Sequence, residues 1–319
     1  VLLGDADQLP SVEAGAVFRD LCAGLGASRL STNLRVARDP GGQRIVEAAA
    51  AVNAGAVDAR FSGAVATRRS VDELELAGVE HLAGSWSALA DAMLEAWWTR
   101  RIASLEDFAR RSARAFRLVD GALADDELPE LRALFDHHAR SRLLCATRLR
   151  GFPTGAEAIN DRLLARLRGG ALPRRWRKAE LAAGTPVVFE RNDYARNLFN
   201  GDQGLVVRAD AGAGAGPELV VAFPRADRFV TYPLDTLPDL SPAFAMTVHK
   251  AQGSEFDHVA LVLPEVDMPL LTRELLYTAM TRARRSVLLV AETDLLARAV
   301  SRTLERHCGV AERLAKTAK

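Results

Sequence analysis

Lysine is scarce in this sequence of 319 residues, in which only positions 178, 250, 316 and 319 are Lys and arginine supplies nearly all of the positive charge. An excess of either charge is also absent, because 42 Lys and Arg residues against 41 Asp and Glu residues leave a formal net charge of +1. The balance excludes a basic field over the whole protein, so any nucleic-acid surface must be local. A composition of 49% hydrophobic and 26% charged residues excludes a mainly disordered chain.

Cysteines are few and unclustered. Cys22, Cys145 and Cys308 are odd in number, lie far apart and form no CxxC motif. This pattern argues against a disulfide framework and against a metal site, and it favours a reducing cytoplasm. The longest apolar runs, near residues 259–263 and 287–291, are far below the roughly 20 residues that span a bilayer, so we expect no membrane segment.

The amino terminus has neither an initial methionine nor a signal-peptide pattern. Its first residues, Val1, Leu2 and Leu3, are typical of the end of a buried strand. We therefore expect a piece of a longer protein that begins inside a domain. A chain of 319 residues is also longer than one hydrophobic core usually supports, which indicates more than one domain.

Residue patterns predict an α/β chain with a separate region of short strands. Residues 85–140 have apolar residues at helical spacing, Phe116 among them, and predict a helical layer. Short alternating segments joined by turn residues predict a small β-barrel between 185 and 240, at 186–190, 204–207, 219–223 and 229–232. Alternating strands and helices elsewhere favour a parallel, doubly wound sheet, with strands at 142–147, 243–248, 259–263 and 287–291 and helices at 14–22, 44–53, 157–167 and 274–284.

Polar side chains follow the first predicted strand in residues 4–12, GDADQLPSV. Ligands of open α/β sheets bind beyond the carboxyl ends of the strands, which is where Asp5 and Gln8 are expected. A glutamine at such a place can hydrogen-bond a phosphate or an attacking water. The alternative for the same residues is a capped turn with solvated polar groups.

Residues 243–256, AFAMTVHKAQGSEF, change abruptly from an apolar strand to polar residues and glycine. Thr247, His249 and Lys250 supply hydrogen-bond donors, and Gly253 allows backbone N–H groups to approach an anion closely. The pattern favours a phosphate or nucleic-acid contact. A core histidine with a satisfied partner is the alternative for His249.

Residues 275–285, LLYTAMTRARR, predict a helix with Arg282 near its end. The planar guanidinium of arginine suits γ-phosphate oxygens, and an arginine inserted from a neighbouring domain can stabilise phosphoryl transfer. The preference of helix carboxyl termini for cations is sufficient to explain Arg284 and Arg285, and it explains Arg282 less well.

In this order the segments resemble the motifs of superfamily 1 DNA helicases, and most closely those of the RecD family of RecBCD exodeoxyribonucleases. GDADQLPSVEAGAVFRDL resembles motif III, and LSTNLR, which ends at Arg35, resembles motif IV. AMTVHKAQGSEFDHV resembles motif V, and LLYTAMTRAR resembles motif VI. NDYARNLFNGDQG resembles the opening of the SH3-like insertion of RecD-type helicases. The resemblance covers nearly the whole chain, apart from a loose match over 60–140.

The resemblance implies RecA-like, P-loop NTPase-type parallel sheets with an inserted SH3-like β-barrel. It assigns residues 1–57 to the end of the first RecA-like domain, 58–184 and 241–319 to the second, and 185–240 to the barrel. It also implies an ATP-dependent 5′→3′ DNA helicase that acts in double-strand-break repair. The implied cofactor is ATP with Mg²⁺, and the implied partners are single-stranded DNA or duplex ends and RecB-like and RecC-like subunits.

Residue by residue, the resemblance places Gln8, Arg35 and Arg282 at the γ-phosphate as catalytic residues. The implied nucleotide contacts also include Asp5, Gly253 and Glu255, the last near the ribose. The implied DNA contacts are Thr247, His249, Lys250, Asn160 and Asn192. No metal ligand is expected within the chain.

One departure from the family pattern concerns ATP binding. The sequence contains no GxxxxGK[ST] motif, and the acidic pair that should precede motif III is missing. We therefore expect this chain alone to hydrolyse no ATP, and the activity to belong to the longer protein. Two alternatives stay open, namely a stand-alone RecD-like or relaxase-type helicase and a non-catalytic scaffold that binds DNA or partner subunits.

Two groups of basic residues are candidates for DNA or subunit contacts. Residues 140–178 contain eleven basic residues against two acidic ones. A second group consists of Arg100, Arg101, Arg110, Arg111, Arg114 and Arg117. Such patches can neutralise phosphates, and they are equally typical of solvated helix faces or protein interfaces. The acidic run at 125–127 is expected to form a solvated turn, and it does not indicate a nuclease.

Overall fold

The computed structural model describes residues 1–10, 17–24, 27–28, 40–55, 57, 59–170, 180–212, 214, 216–304 and 313. The segment LSTNLR at 30–35, which includes Arg35, and part of the basic stretch 140–178 lie outside the described residues. The chain forms two compact units. Unit 1 comprises Val1–Leu89, Leu144–Thr147 and Thr247–Lys319, and unit 2 comprises Ala90–Leu143 and Arg148–Met246.

The helices of the described chain are α1 Val17–Gly24, α2 Pro40–Ala54, α3 Ala59–Ala64, α4 Trp86–Trp97, α5 Phe108–Ala113, α6 Leu128–Ala139, α7 Ala156–Arg168, α8 Arg273–Met280 and α9 Thr293–Ser301. Its strands are β1 Ala66–Arg68, β2 Gly78–Ala83, β3 Ala115–Val119, β4 Ala122–Leu123, β5 Ser141–Cys145, β6 Pro186–Phe189, β7 Gln203–Asp210, β8 Glu218–Pro224, β9 Phe229–Pro233, β10 Leu240–Pro242, β11 Ala245–Thr247, β12 Phe256–Val262 and β13 Ala283–Ala291.

One sheet has six strands in the order β1-β2-β13-β12-β5-β11. The pairs β1–β2, β2–β13 and β13–β12 are parallel. β13 is buried over its last six residues, as expected for a strand of a parallel sheet that is covered on both faces. In unit 1, α2 packs against β13 and β2, and α8 packs against β12 and β13. The prediction of an α/β chain with a parallel sheet is confirmed.

The second sheet lies in unit 2 and has seven strands. It has the path β10-β6-β7-β3-β4, with β8 paired to β7 and β9, and β4 also contacts β9, so the sheet is nearly closed and barrel-like. Its core includes the fully buried Phe189, Val206 and Phe223 together with Leu164 from α7. Four of its strands coincide with the four segments predicted between 185 and 240.

β3 and β4 come from the stretch that was predicted to be helical. Phe116 is fully buried in β3, which pairs in parallel with β7, so its assignment to the helical layer was wrong. A five-residue strand between two helices leaves little periodic signal of its own. Its partner strand β7 lies about ninety residues later in the chain. Periodicity within a short sequence window cannot detect a pairing over that separation.

In unit 1, two segments have a secondary structure different from the predicted one. Residues 1–3, predicted as the end of a buried strand, are exposed and pair with no strand of the described chain. The helix predicted to reach residue 284 ends at Met280, and Arg284 and Arg285 lie in β13. The carbonyl of Arg282 accepts a hydrogen bond of 2.9 Å from the Phe256 amide, so pairing with β12 replaces the helical hydrogen bonds at this point.

Candidate functional site

The loop at residues 5–9 is bound through its backbone to two other segments of unit 1. The Leu9 amide donates a hydrogen bond of 2.7 Å to the Thr278 hydroxyl on α8. The Leu9 carbonyl accepts one of 2.7 Å from the side-chain amide of Gln252, in the turn that follows β11. Leu9 is buried. The segments of Gln8, Gln252 and Arg282 therefore meet in one place, although the first is separated from the others by more than 240 residues.

Asp5 organises this loop. Its Oδ1 accepts a hydrogen bond of 3.0 Å from the Asp7 amide. This bond forms a capped turn, which is the alternative interpretation of these polar residues. Its Oδ2 accepts two side-chain hydrogen bonds, one of 2.9 Å from Gln8 Nε2 and one of 3.3 Å from the Tyr277 hydroxyl. Gln8 is partly exposed, so its amide is both held by Asp5 and accessible from solvent.

The turn at residues 247–255 follows β11 and precedes β12. The Val248 amide donates to the Cys145 carbonyl at 3.0 Å, and the Lys250 amide donates to the Thr247 hydroxyl at 3.3 Å. Gly253 has a φ of +81°, a left-handed conformation that costs glycine little and strains other residues. Thr247, His249 and Lys250 are all partly exposed at this turn.

Arg282 is buried at 6% exposure in the short connection between α8 and β13. Its guanidinium donates to the Thr278 carbonyl at 3.2 Å, to the Ser254 carbonyl at 3.4 Å and to the Thr281 hydroxyl at 3.5 Å. The bonds to Ser254 and Thr281 are long for an N–H···O hydrogen bond, and the bond to Thr278 is at the long end of the usual range. A charge-assisted bond from a guanidinium to a phosphate oxygen is typically shorter, at about 2.7–2.9 Å.

Glu255 already has an ionic partner. Its carboxylate accepts two hydrogen bonds from Arg284, at 2.5 Å from Nη2 and 3.1 Å from Nε. Arg284 is about half exposed at the start of β13. A ribose contact by Glu255 would therefore compete with this ion pair.

The two asparagines predicted at DNA have different surroundings in unit 2. Asn160 is buried, and its Nδ2 donates to the carbonyls of Pro242 and Ala245 at 2.8 and 2.9 Å. Its Oδ1 accepts from the Ala245 amide at 2.8 Å, so the side chain joins α7 to the β10–β11 segment. Asn192 is exposed, and its Oδ1 accepts from the Asn200 amide at 2.9 Å. The DNA contact stays a prediction for both, and for Asn160 it requires release of this amide.

Most of the second basic group is matched by acidic residues in unit 2. Arg110 pairs with Asp107 at 2.6 Å and Arg111 with Glu130 at 2.6 Å. Two further ion pairs join Arg114 to Glu127 and Arg117 to Asp126. The acidic run 125–127 forms a short 3₁₀ helix in which Asp125 and Asp126 are exposed, as expected for a solvated turn, and in which Asp126 and Glu127 also pair with arginines. This face alternates in charge, which does not favour phosphate binding.

Several arginines of the stretch 140–178 also have carboxylate partners. Arg148 contacts both Glu157 and Glu190 at 2.9 Å, and Arg166 contacts Glu95 at 2.6 Å. Arg142 differs from them because it is buried in β5 and donates to the side-chain carbonyl of Gln203 at 2.9 Å. Burial lowers the pKa of Arg142 to about 10, which leaves it charged at neutral pH.

Sequence reasoning missed the roles of Gln252, Tyr277 and Thr278. All three lie inside the segments that resemble motifs V and VI, but their partners are in the loop 5–9, which no local pattern identifies. It also missed a cavity of about 10 Å³ in unit 2, which is lined in part by His137, His138 and Arg142. Burial, with the charges of His137 and Arg142, lowers the pKa of His138 to about 3, so His138 is neutral at physiological pH.

Within the part of the chain that the structure describes, no helix combines the length and the apolar character needed to cross a membrane. The described residues likewise contain no group of three or more His, Cys, Asp or Glu side chains arranged to bind a metal ion.

Comparison with known proteins identifies relatives of this chain. Residues 242–290 match the UvrD-like helicase C-terminal domain, and residues 1–75 match an AAA domain. The chain is 34% identical over 320 residues to the RecBCD enzyme subunit RecD of Mycolicibacterium smegmatis. The alignment covers 98% of this chain and 49% of that protein. It is 39% identical over 138 residues to the ATP-dependent RecD2 DNA helicase of Deinococcus radiodurans, which covers 43% of this chain and 18% of that protein.

Among solved structures, the Pif1 helicase of Candida albicans aligns with 90% of this chain and 60% of its own, at 16% identity and a TM-score of 0.40. The resemblance to RecD predicted from the motifs is confirmed by the identity over nearly the whole chain. The chain spans about half the length of the RecD proteins of Mycolicibacterium smegmatis and Mycobacterium tuberculosis, at 49% of each.

Proposed function

We propose that this chain is the C-terminal part of an ATP-dependent 5′→3′ DNA helicase of the RecD type. The observation that supports this most strongly is the junction of the loop 5–9 with α8 and the turn 247–255. In a helicase of this type these three segments must act together, because they contact the γ-phosphate and the DNA. The identity to RecD proteins supports the same assignment.

The residues at this junction suit the γ-phosphate end of a nucleotide. Gln8 offers an accessible amide, and Arg282 offers a buried guanidinium. We assign Arg35 to the same phosphate, and Asp5, Gly253 and Glu255 to its vicinity. ATP is the substrate whose hydrolysis drives movement, and the phosphate-binding loop and the Mg²⁺ ligands would be supplied from outside this chain, which has no GxxxxGK[ST] motif.

The DNA backbone would be bound by Thr247, His249 and Lys250, which are partly exposed at the turn after β11. Asn192 would contribute a contact from the loop between β6 and β7. Asn160 would hold the β10–β11 segment, which leads into the turn 247–255. In domain terms, residues 1–57 would complete a first RecA-like domain. Residues 58–184 and 241–319 would form a second one, and residues 185–240 an SH3-like insertion.

We propose that the longer protein is a cytoplasmic subunit of a RecBCD-like exodeoxyribonuclease V, with RecB-like and RecC-like partners. The assembly would act on DNA ends during double-strand-break repair and recombination. A stand-alone helicase is the second candidate, favoured by the 39% identity to a RecD2 helicase over 138 residues. Copurification with partner subunits from the native host separates the two candidates.

The test is ATP hydrolysis stimulated by single-stranded DNA, measured on the longer protein that includes this chain. We expect Arg282→Ala to lower the stimulated kcat by about 10³-fold or more, as for other arginines that contact a transferring phosphoryl group. Arg285→Ala removes an exposed arginine of the adjacent strand and serves as the matched control, with kcat within about twofold.

Because Arg282 is buried, Arg282→Lys and a thermal unfolding curve for each variant separate loss of catalysis from loss of folding. This chain alone should hydrolyse no ATP. Absence of DNA-stimulated hydrolysis in the longer protein would overturn the proposed function in favour of a non-catalytic scaffold. Full activity of a folded Arg282→Ala protein would overturn the assignment of Arg282 to the γ-phosphate.

A further inference from the structure

Two side chains from distant parts of the sequence donate to the same carboxylate oxygen. Gln8 Nε2 lies 2.9 Å from Asp5 Oδ2, and the Tyr277 hydroxyl lies 3.3 Å from the same atom. The other oxygen of Asp5 is held by the Asp7 amide at 3.0 Å, which fixes the plane of the carboxylate. Asp5 therefore joins the Gln8 amide to α8, the helix that immediately precedes Arg282.

We propose that Tyr277 is a positioning residue for Gln8 and acts through Asp5; the inference rests on the proposed function. The last side-chain torsion of a glutamine has broad preferences, so a partly exposed Gln8 would sample many amide orientations by itself. The bond to Asp5 selects one orientation, and the Tyr277 hydroxyl restricts the carboxylate that makes this selection.

The arrangement leaves Gln8 able to bind a substrate. A primary amide has two N–H donors and an acceptor oxygen, and the bond to Asp5 uses one donor. The hydrogen bond of Leu9 to Thr278, the residue after Tyr277, holds the backbone of the loop against the same turn of α8. The Leu9 backbone and the Gln8 side chain are thus both positioned relative to α8. Gln8 and Arg282 would therefore contact a γ-phosphate as a preformed pair.

The backbone contacts of Leu9 do not determine the orientation of the Gln8 side-chain amide. Thr278 and Gln252 hold Leu9 whichever rotamer Gln8 adopts. The side-chain contacts of Asp5 act on the amide directly. Removal of the Tyr277 hydroxyl should therefore leave the loop in place and loosen only the catalytic geometry. This separates a positioning role from a purely structural one.

The experiment uses the longer protein with saturating single-stranded DNA and compares Tyr277→Phe with the unchanged protein. We expect kcat for ATP hydrolysis to fall by about 5- to 20-fold, since small misplacements of a catalytic group can cost up to about 10²-fold. The KM for ATP should stay within about twofold, because in this proposal Tyr277 acts on the orientation of the Gln8 amide and not on the nucleotide. Asp5→Asn keeps the shape of the side chain and should reduce kcat at least as much.

A double-mutant cycle tests whether Tyr277 acts through Gln8. In a Gln8→Ala background, Tyr277→Phe should cause no further loss of kcat, because the amide that it positions is gone. Ser286→Ala is the stability control, since it removes a hydroxyl that forms a 2.7 Å hydrogen bond with His258 between β12 and β13. It should lower the melting temperature and leave kcat unchanged.

The inference is overturned if Tyr277→Phe keeps the full kcat, or if its loss persists undiminished in the Gln8→Ala background. If Gln8→Ala and Arg282→Ala both inactivate the enzyme while Tyr277→Phe is fully active, only this inference fails. If neither of those two variants affects hydrolysis, the proposed function of the site fails as well.

Discussion

The backbone amide of Leu9 donates a 2.7 Å hydrogen bond to the hydroxyl of Thr278, although the two residues are 269 positions apart in the chain. Thr278 is fully buried on α8, and Leu9 is 6% exposed. A buried hydroxyl and a buried amide thus satisfy each other at the point where the loop 5–9 meets α8. This contact attaches the loop that contains Gln8 to the helix that leads to Arg282.

Thr278→Val should detach this loop. The substitution keeps the shape of the side chain and leaves the Leu9 amide buried without an acceptor, which costs about 1–3 kcal/mol. We expect faster hydrogen exchange at the Leu9 amide and a lower free energy of unfolding in urea. Thr278→Ser retains the hydroxyl and is the control. Unchanged protection of Leu9 in the valine variant would show that the contact does not hold the loop.

Asn160 should contribute more to stability than Asn192. Asn160→Ala removes three hydrogen bonds to backbone groups of Pro242 and Ala245, and at about 1 kcal/mol each it should lower the free energy of unfolding by about 3 kcal/mol. Asn192→Ala removes one exposed bond and should cost less than about 1 kcal/mol. Urea denaturation measures both, and equal losses would contradict this distinction.

Lys250 should contribute one phosphate contact to single-stranded DNA. Lys250→Gln should weaken binding and make the slope of log K against log salt concentration shallower by about 0.7, the value for release of one counterion from a single strand. Fluorescence anisotropy at several salt concentrations measures this slope. Arg110→Gln is the control, because Arg110 already pairs with Asp107. A larger change of slope for Arg110→Gln would place the DNA on the charge-alternating face instead.

His138 should make unit 2 less stable in acid. Its pKa is about 3 in the folded protein, because it is buried near His137 and Arg142, and about 6.5 in the unfolded chain. The unfolded state therefore binds a proton below pH 6.5 that the folded state does not, so stability is complete above pH 6.5 and is lost as pH falls towards 3. The slope is about 1.4 kcal/mol per pH unit, or about 2–3 kcal/mol between pH 6.5 and 4.5.

His138→Phe should abolish most of this pH dependence. His137, whose pKa burial also lowers, remains and acts in the same direction. Urea unfolding of the two proteins at pH 7 and pH 4.5 measures the difference. An unchanged dependence in the phenylalanine variant would assign the acid sensitivity to other groups.

Local patterns in the sequence were sufficient for the elements with strong periodicity and clear turn residues. α7, β6, β8, β12 and β13 lie where alternation or helical spacing placed them, because burial of one face or of both repeats along such an element. The same patterns identified the three polar segments and the resemblance to RecD. They failed for β3 and for the end of α8, where pairing with strands distant in the chain outweighs local preference.

The partners of the polar side chains required the tertiary structure. No spacing rule connects Asp5 with Tyr277 or Leu9 with Gln252, because these contacts arise from how the parallel sheet and α8 bring distant loops together. The ion-pair partners of the arginines also required the tertiary structure. The sequence shows a cluster of arginines at 110–117. Folding places a carboxylate beside each of Arg110, Arg111, Arg114 and Arg117. Residue types and order thus indicated the chemistry available to this chain. Long-range packing selected which of those groups are held, paired or accessible to a ligand.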